Sequence, residues 1–261
     1  MPRRRLRLLV AYDGTDFHGF APNRGVPTVG GALADGLARV LGHDVSLTCA
    51  GRTDAGVHAW GQVVTLDTPA DVEPGEVVRR LGKLCGPAIV VRDADWVSEA
   101  FDARRSATAR EYRYTIVNRA VPDPLVRRMA WHVAGSLDVD AMSEAAAALV
   151  GEHDFSSFCR RPKEPRGASL VRIVRRARVH PLGDGMLRFT IEASSFCQQM
   201  VRSVVGTLVD VGRGRLAPDA LPGIIAARDR AAAGSLAPAA GLCLWRVRYG
   251  SPRSGVAPSR G

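Results

Sequence analysis

Lysine is almost missing from this chain: Lys83 and Lys163 are the only two among 36 basic residues, set against 26 acidic ones for a net charge of +10. The positive charge is therefore guanidinium, which pairs bidentately with phosphate and stacks on bases, so a polyanion such as nucleic acid is a natural partner. The plainer alternative is a source in which arginine generally replaces lysine. No Cys-x-x-Cys occurs. Cys49, Cys85, Cys159, Cys197 and Cys243 are odd in number and widely spaced, which argues against a disulfide framework or a zinc knuckle and fits a reducing cytoplasm. No apolar run approaches the roughly twenty residues that span a bilayer. The apolar stretch behind Arg3, Arg4 and Arg5 stops at Tyr12-Asp13, too short for a secretory segment. A nucleotide-binding glycine loop and a metal-ligand cluster are also missing. Together these absences exclude a membrane span and a zinc-stapled module. They predict a soluble, cytoplasmic protein that folds without disulfides or metal and uses no cofactor.

The chain has 261 residues, 46% of them hydrophobic, enough to bury a sizeable core as one large domain or two small ones. Leu6, Leu8, Val10 and Tyr12 alternate with Arg7, Leu9 and Ala11 as a half-buried strand that runs into the turn Asp13-Gly14-Thr15-Asp16. Thr28 caps a helix with Val29, Leu33, Leu37 and Leu41 on one stripe, and Pro74 to Leu84 shows helical spacing behind a proline suited to the first turn. Strands are predicted at Val45 to Cys49, Gln62 to Leu66 and Ile89 to Val91. After an aperiodic polar approach from Phe101 to Ala109, with Arg104, Arg105 and Arg110, the residues Tyr112, Tyr114 and Ile116 share one face of a further strand. A helix through Met142, Ala145, Ala146 and Leu149 begins at Asp138 or Asp140 and ends at Gly151. Strands at Leu170 to His180 and Met186 to Ser195, a long amphipathic helix at Phe196 to Val211 and a last strand through Cys243, Trp245, Val247 and Tyr249 complete the second half. The loop from Arg160 to Leu170 reads as mobile. The tail, Ser251 to Gly261, is rich in Pro, Gly and Ser and is expected to be disordered.

Between the apolar runs that flank it stands Ala50-Gly51-Arg52-Thr53-Asp54-Ala55-Gly56-Val57-His58-Ala59. Its glycines permit a sharp turn and close approach of a ligand. From composition alone Asp54 is equally open to a plain Asx turn and Arg52 to a surface ion pair. This stretch resembles the signature of the tRNA pseudouridine synthase A family. The motifs Tyr12-Asp13-Gly14-Thr15, Glu111-Tyr112-Arg113-Tyr114, His153-Asp154-Phe155-Ser156-Ser157-Phe158, Met200-Val201-Arg202 with Val205-Gly206, and Gly241-Leu242 follow in the family's order, so the resemblance covers about residues 6 to 249. It departs at Phe20-Ala21-Pro22-Asn23, where the family usually continues with Trp and Gln, and Gln198-Gln199 replace other polar or aromatic residues.

The resemblance implies an α+β fold of two similar domains, with mainly antiparallel sheets meeting at a central basic cleft. The expected division is 1–105 with the aspartate loop, 106–250, and 251–261 as tail. It implies a homodimer that isomerises uridine to pseudouridine at positions 38, 39 and 40 of the tRNA anticodon arm. Asp54 is then the catalytic carboxylate, as a nucleophile or as the base that removes a ribose proton. A carboxylate in a dry cleft needs a nearby cation to stay ionised, and Arg202 is the candidate, on a helix that buries Val201, Val204, Val205, Leu208 and Val209. Tyr112, first in Tyr-Arg-Tyr, is expected to stack on the flipped uridine, although a tyrosine on such a strand is more often plain packing. Arg52 would fill the space that the nucleotide leaves or hold a phosphate, Leu242 would line the pocket, and His58 would contact phosphate or hold the loop. The clusters Arg127-Arg128, Arg160-Arg161 with Lys163 and Arg166, Arg175-Arg176 with Arg178, and Arg213 with Arg215 are candidates for the tRNA groove, each equally readable as a solvated face.

Two rival classes are also compatible with these residues. One is a non-catalytic RNA-binding protein or RNA chaperone on the same fold. The other is a metal-dependent hydrolase using Asp13, Asp16, His18, Asp54 and His58, whose spacing matches no known ligand set.

Overall fold

The computed structural model describes residues 4–69, 71–160 and 169–250. The chain runs β1 (Arg4–Tyr12), α1 (Val29–Leu41), β2 (Thr48–Cys49), β3 (His58–Thr68), α2 (Pro74–Cys85), β4 (Ile89–Val97), β5 (Ala107–Val117), β6 (Trp131–His132) and α3 (Val139–Ala147). It continues with β7 (Gly151–Asp154), β8 (Val171–Gly183), β9 (Met186–Ala193), α4 (Met200–Gly212), α5 (Ala220–Ala227) and β10 (Leu242–Tyr249). The α+β class expected from the sequence is the one observed. Of the mobile loop expected from Arg160 to Leu170, residues 161–168 lie outside the described residues, as does the disordered tail expected at 251–261.

One sheet runs through both halves in the order β4-β1-β3-β10-β5-β9-β8-β7, with β2 beside β3 and β6 beside β5. Neighbours are antiparallel except the short β6, which runs parallel to β5, and β3 and β10, which meet in parallel at Cys243 opposite His58 and Leu244 opposite Ala59. The last strand of the chain thus closes the junction between the first half and the second. The alternation in β1 aims Leu6, Leu8 and Val10 at Leu33 and Leu37 of α1 and Val77 and Leu81 of α2. The same buried cluster continues through Tyr114, Ile116, Phe189 and Ile191 to Met142 of α3 and Val204 and Leu208 of α4.

Local signals account for both ends of α1 and the start of α3. The Thr28 hydroxyl accepts from the Gly31 amide at 3.2 Å, Asp138 caps α3 through the Ala141 amide at 2.9 Å, and Gly42 ends α1 at a φ of 79°. Other boundaries moved. β3 begins at His58, inside the signature stretch, β4 extends to Val97, and β5 takes in the second part of the stretch read as an aperiodic approach. β6 and β7, too short to show a period, and α5, whose eight residues include Pro222 and Gly223, are elements that the sequence does not signal.

The expectation of a fold without disulfides is corrected. Cys159 and Cys197 form a disulfide pair, with Cα atoms 5.8 Å apart across 38 residues. Sequence spacing hides this contact, which arises where the chain after Phe158 meets the segment leading into α4, held by the Arg160 amide donating to the Gln198 carbonyl at 3.0 Å. The other three cysteines are free.

Candidate active site

Residues 50–57 form a loop between β2 and β3, and polar side chains beneath it hold it in place. Gln62, fully buried on β3, donates to the Gly51 carbonyl at 2.6 Å and accepts from the Gly51 amide at 3.4 Å. The Tyr12 hydroxyl meets the Thr53 hydroxyl at 2.8 Å, and the Phe20 amide donates to the Thr53 carbonyl at 3.1 Å. Phe20 is buried beside Tyr12, so the departure from the family pattern at 20–23 leaves this support intact, with Pro22 and Asn23 exposed. Gly14 and Gly19 pack directly on the loop: a Cβ on Gly14 would lie 2.0 Å from the Val57 carbonyl oxygen, and one on Gly19 2.7 Å from that of Thr53.

His58 takes the second of its two readings. Its Nδ1 accepts from the Gly14 amide at 3.1 Å, which leaves Nε2 to donate to the Ala240 carbonyl at 3.1 Å. The imidazole therefore ties the loop base to the chain just before β10. Among the described residues no group of three or more His, Cys, Asp and Glu is placed to hold a metal ion, so the hydrolase reading has no site there.

A cavity of about 660 Å³ opens above the loop. Its lining includes Arg52, Thr53 and Asp54 of the loop, Tyr112 of β5, Leu242 of β10, and Phe196 to Val201 leading into α4. Asp54 is half-buried and is the only carboxylate among the described lining residues, whereas Arg52, Arg104, Arg110 and Arg172 all reach the cavity. Four guanidinium groups around one carboxylate make an electropositive site suited to a phosphodiester chain. Tyr112 is buried, stands edge-on to Phe196 at 4.9 Å, and its phenol is pushed far above its ordinary value, by burial first and then by the Asp54 carboxylate. Tyr114, two residues on, turns away from the cavity and donates to the Pro238 carbonyl at 2.8 Å.

The structure thus gathers Asp54, Arg52, Tyr112 and Leu242 at one cavity, with Leu242 only 6% exposed. Arg202 stands apart. Its Nε donates to the Ala237 carbonyl at 2.7 Å, the Ala237 amide returns a bond to the Arg202 carbonyl at 3.2 Å, and no ion pair with Asp54 forms among the described residues. The expected Asp54–Arg202 pair is corrected on this point, because the helix edge that carries Arg202 faces the 235–241 segment. Several arginines proposed for a groove are already paired: Arg128 with Asp16 at 3.2 Å, Arg176 with buried Glu111 at 3.0 Å and Arg215 with Asp210 at 3.4 Å. Sequence reading passed over Gln62 and Arg110. A glutamine inside a run of buried β-branched residues was the one available signal for the first.

Residues 145–250 match a family model described as tRNA pseudouridine synthase. A tRNA pseudouridine synthase A from Moorella thermoacetica is 44% identical over 94% of this chain and 99% of its own length. Its counterparts in Brevibacillus brevis and Myxococcus xanthus are 44% and 40% identical, each over 94% of this chain and over 100% and 92% of their own lengths. Among solved structures, a Cbf5-Nop10-Gar1 complex aligns with 78% of this chain and 45% of that chain at 15% identity, with a TM-score of 0.33, too low a likeness to bear on the site.

Proposed function

Because the chain belongs to the tRNA pseudouridine synthase A family, an enzyme family that isomerises uridine to pseudouridine in tRNA, we propose that Asp54 carries the reaction and that Tyr112, Arg52 and Leu242 hold the target nucleotide. The observation that carries this reading is a carboxylate on a braced loop, the single one among the described residues that line an arginine-rich cavity. The isomerisation breaks the bond between N1 and C1′ of the ribose, forms one between C5 and C1′, and moves a proton from C5 to N1. It needs no oxidant, no donor group and no energy source. One positioned carboxylate suffices, attacking the ribose or base as a nucleophile or removing a ribose proton as a base.

A uridine in an RNA stem must leave its stack to reach such a cavity. Tyr112 offers an aromatic edge and a hydroxyl there, Arg52 is exposed at the rim where a phosphate would pass, and Leu242 supplies the apolar side that strengthens every charge inside. Positive potential at Asp54 is assigned to Arg52, Arg104, Arg110 and Arg172; Arg202 joins them only on a rotation that frees it from Ala237. The targets are uridines 38, 39 and 40 of the anticodon arm, read by arm shape more than by base identity. The working form is a cytoplasmic homodimer. No helix among the described residues is long and apolar enough to cross a membrane.

The test is pseudouridine mapping on an unmodified tRNA transcript with uridines in the anticodon arm, incubated with the protein and a chelator, beside Asp54→Asn. The wild type is expected to modify those positions and the variant to bind tRNA without turnover. Turnover by Asp54→Asn would sink the assignment, modification elsewhere would sink the target positions, and binding without modification by either would favour the chaperone reading. Sedimentation of the free protein at the monomer mass would remove the homodimer.

A further inference from the structure

Arg110 on β5 is a buried ionisable group to which the reading above gives only a share of the positive potential at Asp54. It is 9% exposed, and all five N–H donors of its guanidinium are engaged by main-chain carbonyls. Nε and Nη2 donate to Ala50 at 3.3 and 2.9 Å, Nη2 also to Arg104 at 2.7 Å, and Nη1 to Ala107 at 3.3 Å and Ser194 at 2.8 Å. No carboxylate pairs with it among the described residues. Burial pulls the guanidinium below its ordinary value, as it must for a cation taken from water without a counter-ion.

The four carbonyls are not neighbours. Ala50 opens the loop that carries Asp54, Arg104 and Ala107 lie on the crossing from the first half to the second, and Ser194 begins the segment that leads through Phe196 to α4. The Asp54 loop and the segment leading to α4, both of which line the cavity, therefore hang on one side chain, which lines the cavity itself. We propose that Arg110 is a positioning residue for pseudouridine formation, clamping the Asp54 loop to the segment from Ser194 to α4 that also lines the cavity, so that carboxylate and nucleotide meet at a set separation. This rests on Asp54 as the reacting carboxylate.

A rigid fork is needed for this task. A lysine at 110 has three donors on a flexible stem and cannot span four carbonyls spread over three segments. Gln62 and Tyr12 hold the loop from within its own half; Arg110 alone among these three relates it to the other half.

The experiment compares wild type, Arg110→Lys, Arg110→Ala and Asp54→Asn on a tRNA transcript, measuring the single-turnover rate, tRNA affinity and thermal unfolding separately. Arg110→Lys is expected to fold, to bind tRNA within a few-fold of wild type, and to lose on the order of 100-fold in rate, the cost of misplacing a reacting group by about 1 Å. Adding guanidinium ion to Arg110→Ala, well below denaturing concentrations, is expected to restore rate several-fold where equal urea does not. A wild-type rate in Arg110→Lys overturns the proposal, and so does a loss of rate that tracks lost affinity or that guanidinium leaves unchanged. If Arg110→Ala fails to fold, the rate and affinity of Arg110→Lys decide alone. Turnover in Asp54→Asn would instead overturn the assignment of the carboxylate, whatever Arg110 does.

Discussion

Tyr112 and Tyr114 occupy the same face of β5, two residues apart, yet only Tyr112 reaches the cavity, because Tyr114 is covered by the segment that brings in Pro238 and Gly241. A Cβ on Gly241 would lie 2.5 Å from the Tyr114 ring, so a glycine is what allows that cover to lie so close. The Tyr112 hydroxyl has no hydrogen-bond partner among the described residues, which leaves it available to the base. Replacing it with phenylalanine keeps the ring contact to Phe196 and should leave folding and tRNA affinity unchanged. If the hydroxyl relays a proton at C5, turnover falls on the order of 100-fold; a phenylalanine variant at full rate would reduce Tyr112 to a stacking surface. The identities of Asp54 and Tyr112 were legible because they lie in short motifs. The bracing by Gln62 and Arg110 was not, since each acts through main-chain atoms that carry no residue code.

At the scale of elements, α4 shows where periodicity misleads. Apolar spacing placed its start at Phe196, but Gln199 adopts a φ of 66° and the helix begins at Met200, which frees residues 195 to 199 to form a cavity wall. Gly206 in the middle of this helix is a second case. Alanine in an exposed helix interior stabilises by about 1 kcal/mol over glycine, so sequence reasoning favours the exchange. Here the added Cβ would stand 1.7 Å from the Ser235 carbonyl oxygen, a backbone atom that cannot step aside. Gly206→Ala is therefore expected to destabilise, by about 1–3 kcal/mol, and to disturb the segment that holds Arg202 through Ala237. Chemical denaturation checks the sign, and a more stable Gly206→Ala would mean that the 235–237 segment does not pack there. The short strands β6 and β7 escaped notice because a few residues cannot display a period, and α5 because Pro222 and Gly223 interrupt its helical signal, whereas α1 carries stripe and cap together and α2 a stripe behind a first-turn proline.

Across the whole molecule, all four tyrosines, Tyr12, Tyr112, Tyr114 and Tyr249, are pushed above their ordinary value, chiefly by burial. Above pH about 10 the unfolded chain releases phenolic protons that the folded one retains. Stability is therefore intact below that pH and falls above it by about 1.4 kcal/mol per pH unit for each tyrosine. Denaturant unfolding across alkaline pH, followed by tyrosinate absorbance, should show ionisation arriving together with unfolding; ionisation of a still folded protein would contradict the burial. The sequence by itself determined the α+β class, the principal strands and helices, the identity of the aspartate loop and, through resemblance, the family. Those features depend on neighbours along the chain or on a contiguous motif. The insertion of β10 between β3 and β5, the Cys159–Cys197 pair, the attachment of Arg202 to Ala237 and the clamp of Arg110 were decided only by the tertiary structure. The link from His58 to Ala240 spans 182 residues and that from Arg110 to Ala50 spans 60. Contacts of that reach exist only once the sheet has assembled, so no local pattern encodes them.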